Sequence, residues 1–284
     1  MKRIFITGSG GFIGKNLKSY LESEYEIFSP RSFELDLKNA EEVNKFFARF
    51  NPDFVIHCAA IGGVRDVPDE EDTLDVNLAM FNNILNAKKQ GTRVITFGSG
   101  AMYDKKRNLH KVRESELGEF QPKDLYGLSK LKMAEIVKDR DDVLMLNIFA
   151  CYGFDEKPNR FPSYAILRTL ENKTIEINQN AIFDYLWVED MEKIVAHFIE
   201  NEPKEKIMNI TPAKSVSLLE TAKIVSNGKV DIIIKNPVMN FEYTGDNSLL
   251  LREMPSMNFT PIEAGLQKLY EYNKNRLWEF TTRR

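Results

Sequence analysis

Short apolar stretches alternate with amphipathic ones through the first half of the chain. The apolar stretches have the length of strands and lie at residues 2–7, 25–29, 53–59, 92–97 and 142–150. Helical patterns follow at residues 12–21, 41–50, 72–89 and 125–139. Strands that are apolar throughout are typical of a parallel sheet buried on both faces, and helices between them imply βαβ crossovers. The pattern therefore predicts an α/β protein with a doubly wound parallel sheet.

The pattern changes after residue 153, where the predicted elements are shorter and prolines are more frequent. Seven of the 11 prolines lie in this part of the chain. Helices are predicted near residues 164–171, 189–201, 217–227 and 262–275, and strands at 207–210 and 230–234. We therefore expect a sheet domain over residues 1–152 and a smaller, mixed α/β C-terminal lobe over residues 153–284, with room for the chain to cross back to the first domain.

The charge balance and the two cysteines exclude several classes of protein. With 39 Lys and Arg against 42 Asp and Glu, the net charge of −3 argues against non-specific nucleic-acid binding. No apolar run reaches the about 20 residues that span a bilayer, and the first apolar run is too short for a signal peptide. Cys58 and Cys151 give neither a disulfide framework nor a metal-site spacing, so we expect buried free thiols. These features predict a soluble, cytoplasmic protein without a membrane or nucleic-acid partner.

A glycine-rich turn follows the first predicted strand and opens the first predicted helix. Gly8, Gly11 and Gly14 lie three residues apart in the segment TGSGGFIG. One such glycine makes a tight turn, one lets the backbone approach a pyrophosphate, and one lets helix and strand pack closely. The helix N-terminus then offers free N–H groups and a positive dipole end to phosphates. The motif predicts a Rossmann-type dinucleotide-binding domain in which these glycines, Phe12 and Ile13 contact the cofactor.

The end of the second predicted strand discriminates between the two nicotinamide cofactors. An acidic residue there would hold the ribose 2′-hydroxyl of NAD, but the sequence reads Ser29-Pro30-Arg31-Ser32. The planar guanidinium of Arg31 suits a 2′-phosphate, so NADP is favoured as the cofactor. NAD stays open, because an arginine at this position is also compatible with an ordinary solvated charge.

A tyrosine and a lysine lie one helical turn apart in the helix after the fourth predicted strand. Tyr126 and Lys130 are at positions i and i+4 and share one helix face. An unperturbed phenol is a poor acid–base catalyst at neutral pH, and a nearby ammonium favours the phenolate and lowers its pKa. Ser99 ends the fourth strand, where ligands of such sheets collect, and can meet Tyr126 over the cofactor. The three residues predict a catalytic set in which Tyr126 transfers a proton, Lys130 lowers the pKa of Tyr126, and Ser99 binds the reacting oxygen.

The spacing of tyrosine and lysine is not specific by itself. Tyr270 and Lys274 repeat it near the end of the chain. No glycine turn or strand end lies nearby in the sequence, so we interpret this second pair as part of an ordinary amphipathic helix.

Together these motifs resemble the extended short-chain dehydrogenase/reductase family of nucleotide-sugar epimerases, dehydratases and reductases. The matching segments, in chain order, are TGSGGFIG, DL, HCAA, an asparagine at position 77, Ser99, YGLSK, CYG, FDYLWVEDM, TGDNS and FTPIEAGL. The resemblance spans nearly the whole chain and is greatest to the branch of the GDP-L-fucose synthases, which use NADPH.

The resemblance also implies positions for the cofactor and the substrate. Asp36 and Leu37 would lie near the adenine, and Ala59 and Ala60 along the pyrophosphate and ribose. Tyr126 and Lys130 would contact the nicotinamide riboside. The implied partners are a nucleoside-diphosphate sugar as substrate and a second copy of the chain in a homodimer.

Departures from the family pattern favour a simple reductase. Gly100 and Ala101 stand where the family's dehydratases carry the Asp-Glu pair that eliminates water. Ala101 also replaces the cysteine of the fucose synthases, and residues 159–166 lack their histidine. The acid–base pair for epimerisation is thus missing, while the groups that serve hydride transfer are present.

The substrate is expected to lie against Gly100 and Ala101. Ala150 and Phe183 replace an asparagine that holds the sugar phosphate in many relatives and an arginine that precedes the aspartate of the FDY segment. Arg160, or else Arg168, is therefore expected to bind the diphosphate, although a solvated surface role fits Arg160 equally well.

The leading hypothesis is an NADPH-dependent reductase of a keto nucleotide sugar, most simply at the C4 ketone of a 4-keto-6-deoxy or related sugar. One alternative is a nucleotide-sugar 4-epimerase, which uses the same three residues but keeps NAD bound and recycles it. A second alternative is a non-catalytic protein that senses NADP. The complete set of Ser99, Tyr126 and Lys130 argues against that second alternative.

Overall fold

The computed structural model describes residues 1–64, 67–212 and 214–282 of the chain. The strands are β1 (Arg3–Thr7), β2 (Glu26–Phe28), β3 (Phe54–His57), β4 (Arg93–Ser99), β5 (Leu109–Val112), β6 (Val143–Ile148), β7 (Ala150–Tyr152), β8 (Ile175–Gln179), β9 (Ile182–Phe183), β10 (Tyr185–Trp187), β11 (Ile207–Asn209), β12 (Val216–Ser217), β13 (Ile232–Asn236) and β14 (Tyr243–Gly245). The helices are α1 (Phe12–Leu21), α2 (Ala40–Phe50), α3 (Thr73–Ala87), α4 (Leu125–Lys138), α5 (Phe161–Leu170), α6 (Val188–Glu200), α7 (Leu218–Ser226), α8 (Ser248–Glu253) and α9 (Ile262–Thr282). Short 3₁₀ turns lie at Gly100–Tyr103 and Glu114–Glu116.

The central sheet has six strands in the order β2-β1-β3-β4-β6-β11. All of its neighbouring pairs are parallel. The predicted doubly wound parallel sheet is therefore confirmed. The strand order reverses between β1 and β3, and this switch point is where such sheets form a crevice for ligands.

Alternating side chains bury both faces of this sheet. On β1, Ile4 and Ile6 belong to one apolar layer and Phe5 to the other, and all three are at most 1% exposed. The layer of Ile4 includes residues of α1 and α6, while that of Phe5 includes residues of α2, α3 and α4. Burying one such side chain contributes about 1.5–3 kcal/mol. The burial of both faces explains why the strand segments are apolar throughout.

The predicted fifth strand at residues 142–150 is divided in two. β6 ends at Ile148 and pairs with β4 and β11, whereas β7 begins at Ala150 and pairs with β10. The hydrophobic pattern continues across the break because both pieces are buried, so the pattern alone does not reveal it.

The second half of the chain does cross back to the first. β11 completes the edge of the central sheet beside β6, and α6 packs against α1. The remaining short strands form small sheets, among them β12-β9-β14-β5 and β13-β8. The domain boundary at residues 152 and 153 stays a prediction. Within the described part of the chain, no helix combines the length and the apolar character needed to cross a bilayer.

Candidate active site

The glycine turn between β1 and α1 is shaped by close backbone contacts. Gly8 has φ +65°, and a Cβ there would lie 2.7 Å from the backbone nitrogen of Ala59. A Cβ on Gly14 would collide with the carbonyl oxygen of Gly8, which already accepts a hydrogen bond from the Gly11 nitrogen at 2.9 Å. Among the described residues, no side chain caps the N-terminus of α1. The first N–H groups of this helix are thus available to an anion, and the cradle fits a pyrophosphate.

Arg31 lies over the same turn, although it is distant in sequence. A Cβ built on Gly10 would be 2.7 Å from the Arg31 guanidinium carbon. The residue is exposed, and its backbone nitrogen is held by the Glu34 carboxylate at 2.7 Å. The guanidinium makes no hydrogen bond or ion pair with a described residue, so it is available beside the turn.

The other residues expected at the cofactor flank this crevice. The Ala59 nitrogen donates to the Thr7 hydroxyl at 3.1 Å, which joins the ends of β1 and β3, and Ala60 is exposed. Asp36 accepts a hydrogen bond from the Lys38 nitrogen at 3.0 Å. Leu37 is buried, and its carbonyl accepts a hydrogen bond from an asparagine of α3. Phe12 and Ile13 are half-buried in the first turn of α1.

The three predicted catalytic residues come together at the carboxyl end of β4. Asp124 caps α4 by accepting a hydrogen bond from the Gly127 nitrogen at 2.9 Å, and the helix places Tyr126 in its first turn. Ser99, the last residue of β4, lies close enough to the Tyr126 hydroxyl to lower the pKa of the phenol. Lys130 is only 3% exposed, and its ammonium lies 5.6 Å from the centre of the Tyr126 ring.

The ionisable groups of this site are perturbed mainly by burial. Burial lowers the pKa of Lys130 to about 8, against the opposing effect of the nearby Cys58. Burial raises the pKa of Tyr126, and neither the nearby Ser99 hydroxyl nor the positive charge of Arg160 reverses that direction. The net direction for Tyr126 is therefore opposite to the lowering that the sequence predicted from Lys130.

Asp69 joins two parts of the site, a role that no motif in the sequence predicts. One of its carboxylate oxygens accepts a hydrogen bond from the Tyr126 nitrogen and the other from the Gly63 nitrogen, both at 2.8 Å. Gly63 has φ +67°, and a Cβ there would lie 2.7 Å from the Tyr126 ring. Asp69 thus holds the backbone at Gly63 against Tyr126.

Asn77 fixes the same region from α3. Its amide group is hydrogen-bonded to both backbone groups of Ile61, and it also donates to the Ser129 hydroxyl at 3.0 Å. Ser129 in turn donates to the Tyr126 carbonyl at 2.7 Å. Asn77 is 2% exposed, so this buried network holds the end of β3 and the start of α4 in one geometry.

A second tyrosine reaches Ser99 from the last third of the chain. The Tyr243 hydroxyl on β14 lies 3.5 Å from the Ser99 hydroxyl. A Cβ on Gly100 would be 2.7 Å from this same hydroxyl. No motif in the sequence points to Tyr243, because 144 positions separate it from Ser99.

The residues predicted at the substrate occupy different environments. Gly100 and Ala101 are buried, and the Ala101 nitrogen donates to the Ser99 hydroxyl at 3.2 Å. Arg160 is exposed at the start of α5, and its charge acts on both Tyr126 and Tyr243. Arg168 instead donates to the Thr174 carbonyl at 2.8 Å at the other end of α5. Of the two arginines, only Arg160 is placed toward the catalytic set.

The histidines and cysteines serve other purposes in the described structure. His57 lies within β3, is hydrogen-bonded to Thr7 at 2.9 Å, and has its pKa lowered to about 3 by burial. His110 is paired with Glu242 at 2.9 Å on the surface, and His197 lies in the last turn of α6. Both cysteines are free thiols, with Cys151 buried and Cys58 half-buried.

Comparison with known proteins places these features in a family. Residues 4–211 match the family model described as "NAD dependent epimerase/dehydratase family". The chain is 26% identical over 303 residues to a GDP-L-colitose synthase of Yersinia pseudotuberculosis, covering 96% of this chain and 98% of that protein. It is 27% identical over 305 residues to a GDP-6-deoxy-D-talose 4-dehydrogenase of Aggregatibacter actinomycetemcomitans, covering 98% and 99%. The structure of a GDP-mannoheptose C4 reductase of Campylobacter jejuni with NADP bound superposes with a TM-score of 0.82 at 20% identity, covering 96% and 98%.

Proposed function

The chain belongs to the NAD dependent epimerase/dehydratase family, and from this premise we propose that it is an NADPH-dependent reductase of a 4-keto nucleotide sugar. Membership confirms the resemblance to the extended short-chain dehydrogenases and the expected class, an NAD(P)-dependent oxidoreductase. The observation that carries the finer proposal is the set of Ser99, Tyr126 and Lys130, which has no acid–base side chain at positions 100 and 101 beside it.

The proposed cofactor is held by the turn between β1 and α1. The N–H groups at the start of α1 would bind the pyrophosphate, with Gly8, Gly11 and Gly14 giving the close approach. Arg31 would pair with the 2′-phosphate, since its guanidinium lies over this turn without another partner among the described residues. Solved neighbours with NADP bound support NADP as the cofactor, and another neighbour has NAD bound. When bound, the nicotinamide supplies the hydride.

Tyr126 is the proposed proton donor to the carbonyl oxygen. Its elevated pKa keeps the phenol protonated at neutral pH, so a proton is available for transfer. Lys130, with a pKa of about 8, is mostly an ammonium at that pH. In a buried site this positive charge stabilises the phenolate that forms as Tyr126 loses its proton.

Ser99 is the proposed second donor to the same oxygen. Its hydroxyl lies beside the phenol and is fixed by the backbone nitrogen of Ala101 at 3.2 Å. A fixed donor aimed at an oxygen that gains negative charge stabilises the transition state more than the ground state.

The surroundings of this set favour reduction without epimerisation. Epimerising a carbon next to the ketone requires a base on one face and an acid on the other. Ala101 offers neither, and residues 159–166 contain no histidine. We therefore propose that hydride and proton are added to the ketone while the flanking carbons keep their configuration.

The proposed substrate is a GDP-linked sugar. Two relatives and one solved neighbour carry names of enzymes that act on GDP-sugars. Arg160 is the proposed contact for the diphosphate, because its charge already reaches Tyr126. The alternative, a 4-epimerase, would require tightly bound NAD that survives purification.

The test measures NADPH consumption against GDP- and dTDP-linked 4-keto sugars in D₂O. We expect NADPH to be consumed with a GDP-linked ketone and no solvent deuterium to enter at the carbons beside the new alcohol. Deuterium at those carbons would contradict the assignment as a plain reductase, and purified protein with bound NAD would favour the 4-epimerase.

A pair of matched variants tests the catalytic tyrosine. Tyr126→Phe should abolish turnover while NADPH binding, followed by its fluorescence, is nearly unchanged. Tyr270→Phe, in the second tyrosine–lysine pair on α9, should retain the wild-type rate. Loss of turnover in both variants, or loss of cofactor binding in Tyr126→Phe, would refute the role given to Tyr126.

A further inference from the structure

Tyr243 is a half-buried aromatic residue that belongs to none of the family motifs yet faces the proposed catalytic serine. It is the first residue of β14, which pairs with β5 and β9. Its ring lies 5.4 Å from that of Phe149 and 5.9 Å from that of Phe183, measured between ring centres. These contacts place its hydroxyl 3.5 Å from the Ser99 hydroxyl.

The hydrogen-bonding capacity of Ser99 determines what this contact does to the direction of the serine proton. A serine hydroxyl donates one hydrogen bond and accepts two. Ser99 already accepts one from the Ala101 nitrogen at 3.2 Å. If Tyr243 fills the second accepting position, the only proton of Ser99 is free to point toward Tyr126 and the reacting oxygen.

Tyr243 is suited to be the donor in this pair. Burial raises the pKa of its phenol above the ordinary value, so it remains protonated over the range in which the enzyme would work. A separation of 3.5 Å is long for two hydroxyl groups. Catalytic hydrogen bonds of this kind shorten when the substrate complex forms.

Gly100 leaves the space that this arrangement needs. A Cβ at position 100 would lie 2.6 Å from the Phe149 ring and 2.7 Å from the Tyr243 hydroxyl. Any side chain at this position would push the phenol away from Ser99. Gly100, which distinguishes this chain from the family's dehydratases, thus also leaves space for the Tyr243 hydroxyl beside Ser99.

We propose that Tyr243 is a positioning residue that donates a hydrogen bond to Ser99 and so directs the single serine proton toward Tyr126 in the free protein and toward the carbonyl oxygen when substrate is bound. The proposal rests on the proposed function for its substrate. The hydrogen bonds from Tyr243 to Ser99 and from Ser99 to Tyr126 form a relay. This relay involves only residues of this chain and is measurable without a substrate.

A double-mutant cycle on turnover tests whether Tyr243 acts through Ser99. Tyr243→Phe, which retains the ring contacts, should lower kcat about tenfold, the effect of one lost hydrogen bond, with the KM for NADPH unchanged. In a Ser99→Ala background, Tyr243→Phe should change kcat by less than about twofold. A full tenfold loss in that background would overturn the proposal, because Tyr243 would then act without Ser99.

A second measurement uses the Tyr126 phenol and needs no substrate. With ¹³Cζ-labelled tyrosine, the signal that disappears in Tyr126→Phe reports its ionisation by NMR. A Ser99 proton aimed at Tyr126 stabilises the phenolate, so Tyr243→Phe should raise the pKa of Tyr126, and should not raise it further in the Ser99→Ala background. An unchanged pKa in Tyr243→Phe would overturn the proposal.

Tyr103→Phe is the matched control. Tyr103 packs on the same Phe149 ring but donates to Asn209 at 2.8 Å instead of to Ser99. It should cost stability without moving the pKa of Tyr126. If wild-type protein reduces no ketone in the panel while the Tyr243 effect on Tyr126 is present, the proposed function fails and the relay stands. If turnover is present and that effect is absent, the relay fails and the function stands.

Discussion

Replacing Lys130 by methionine should make the protein more stable and much less active. Lys130 is 3% exposed, and burial lowers the pKa of its ammonium from the ordinary 10.5 to about 8. The unfolded chain therefore holds this proton more tightly than the folded chain. At neutral pH the buried ammonium therefore lowers the free energy of unfolding by about 3 kcal/mol. Methionine occupies a similar volume without a charge and removes that cost.

The sign of the pH dependence follows from the lowered pKa. Below pH 8 both the folded and the unfolded chain keep the proton, and the whole cost is present. As pH rises from about 8 toward 10.5, the folded protein loses the proton first and the cost declines. The gain in stability from Lys130→Met should thus fall from about 3 kcal/mol at pH 7 to about 1 kcal/mol at pH 10.

The same substitution should reduce turnover. The ammonium lies 5.6 Å from the centre of the Tyr126 ring, where a unit charge stabilises a phenolate by about 3 kcal/mol at an effective dielectric constant of about 20. Loss of this interaction should lower kcat by about two orders of magnitude.

Urea unfolding followed by tryptophan fluorescence, at several pH values, measures the stability, and NADPH consumption measures kcat. The control is Lys274→Met, which replaces the exposed lysine of the second tyrosine–lysine pair. It should change neither the free energy of unfolding nor kcat. The reasoning would be refuted if Lys130→Met destabilised the protein at pH 7, or if its gain in stability did not decrease toward pH 10.

Further predictions concern the cofactor turn and the support of Tyr126. Arg31→Asp should weaken NADPH binding at least tenfold while NADH binding is retained, as measured by fluorescence titration. An unchanged preference for NADPH over NADH would show that Arg31 does not bind the 2′-phosphate. Gly14→Ala should abolish cofactor binding in calorimetry, because its Cβ would collide with the Gly8 carbonyl oxygen. Asp69→Ala should lower kcat about tenfold with little change in NADPH affinity, since the nitrogens of Gly63 and Tyr126 lose their acceptor. Ala substitution of the exposed neighbour Glu70 is its control, and equal losses in both would contradict a specific role for Asp69.

Local sequence patterns determined the sheet domain of this protein. A strand buried on both faces must be apolar at successive positions, and Ile4, Phe5 and Ile6 display this directly. The turn between β1 and α1 needs glycine because Gly8 has positive φ and Gly14 packs on its carbonyl. These requirements involve residues that are close together in the chain, so they can be predicted from the sequence alone.

The contacts that hold Ser99 and Tyr126, two residues of the proposed catalytic set, were decided by tertiary structure. Asp69 is one acidic residue among several in its segment, and only the folded chain brings it to the first turn of α4. Tyr243 reaches Ser99 because β14 pairs with β5 and β9, strands too short for a recognisable pattern. The pKa of Tyr126 also follows from burial by distant segments rather than from its helical neighbour Lys130. Spacing within a helix or turn is encoded locally, whereas burial and contacts between distant segments exist only once the chain has folded.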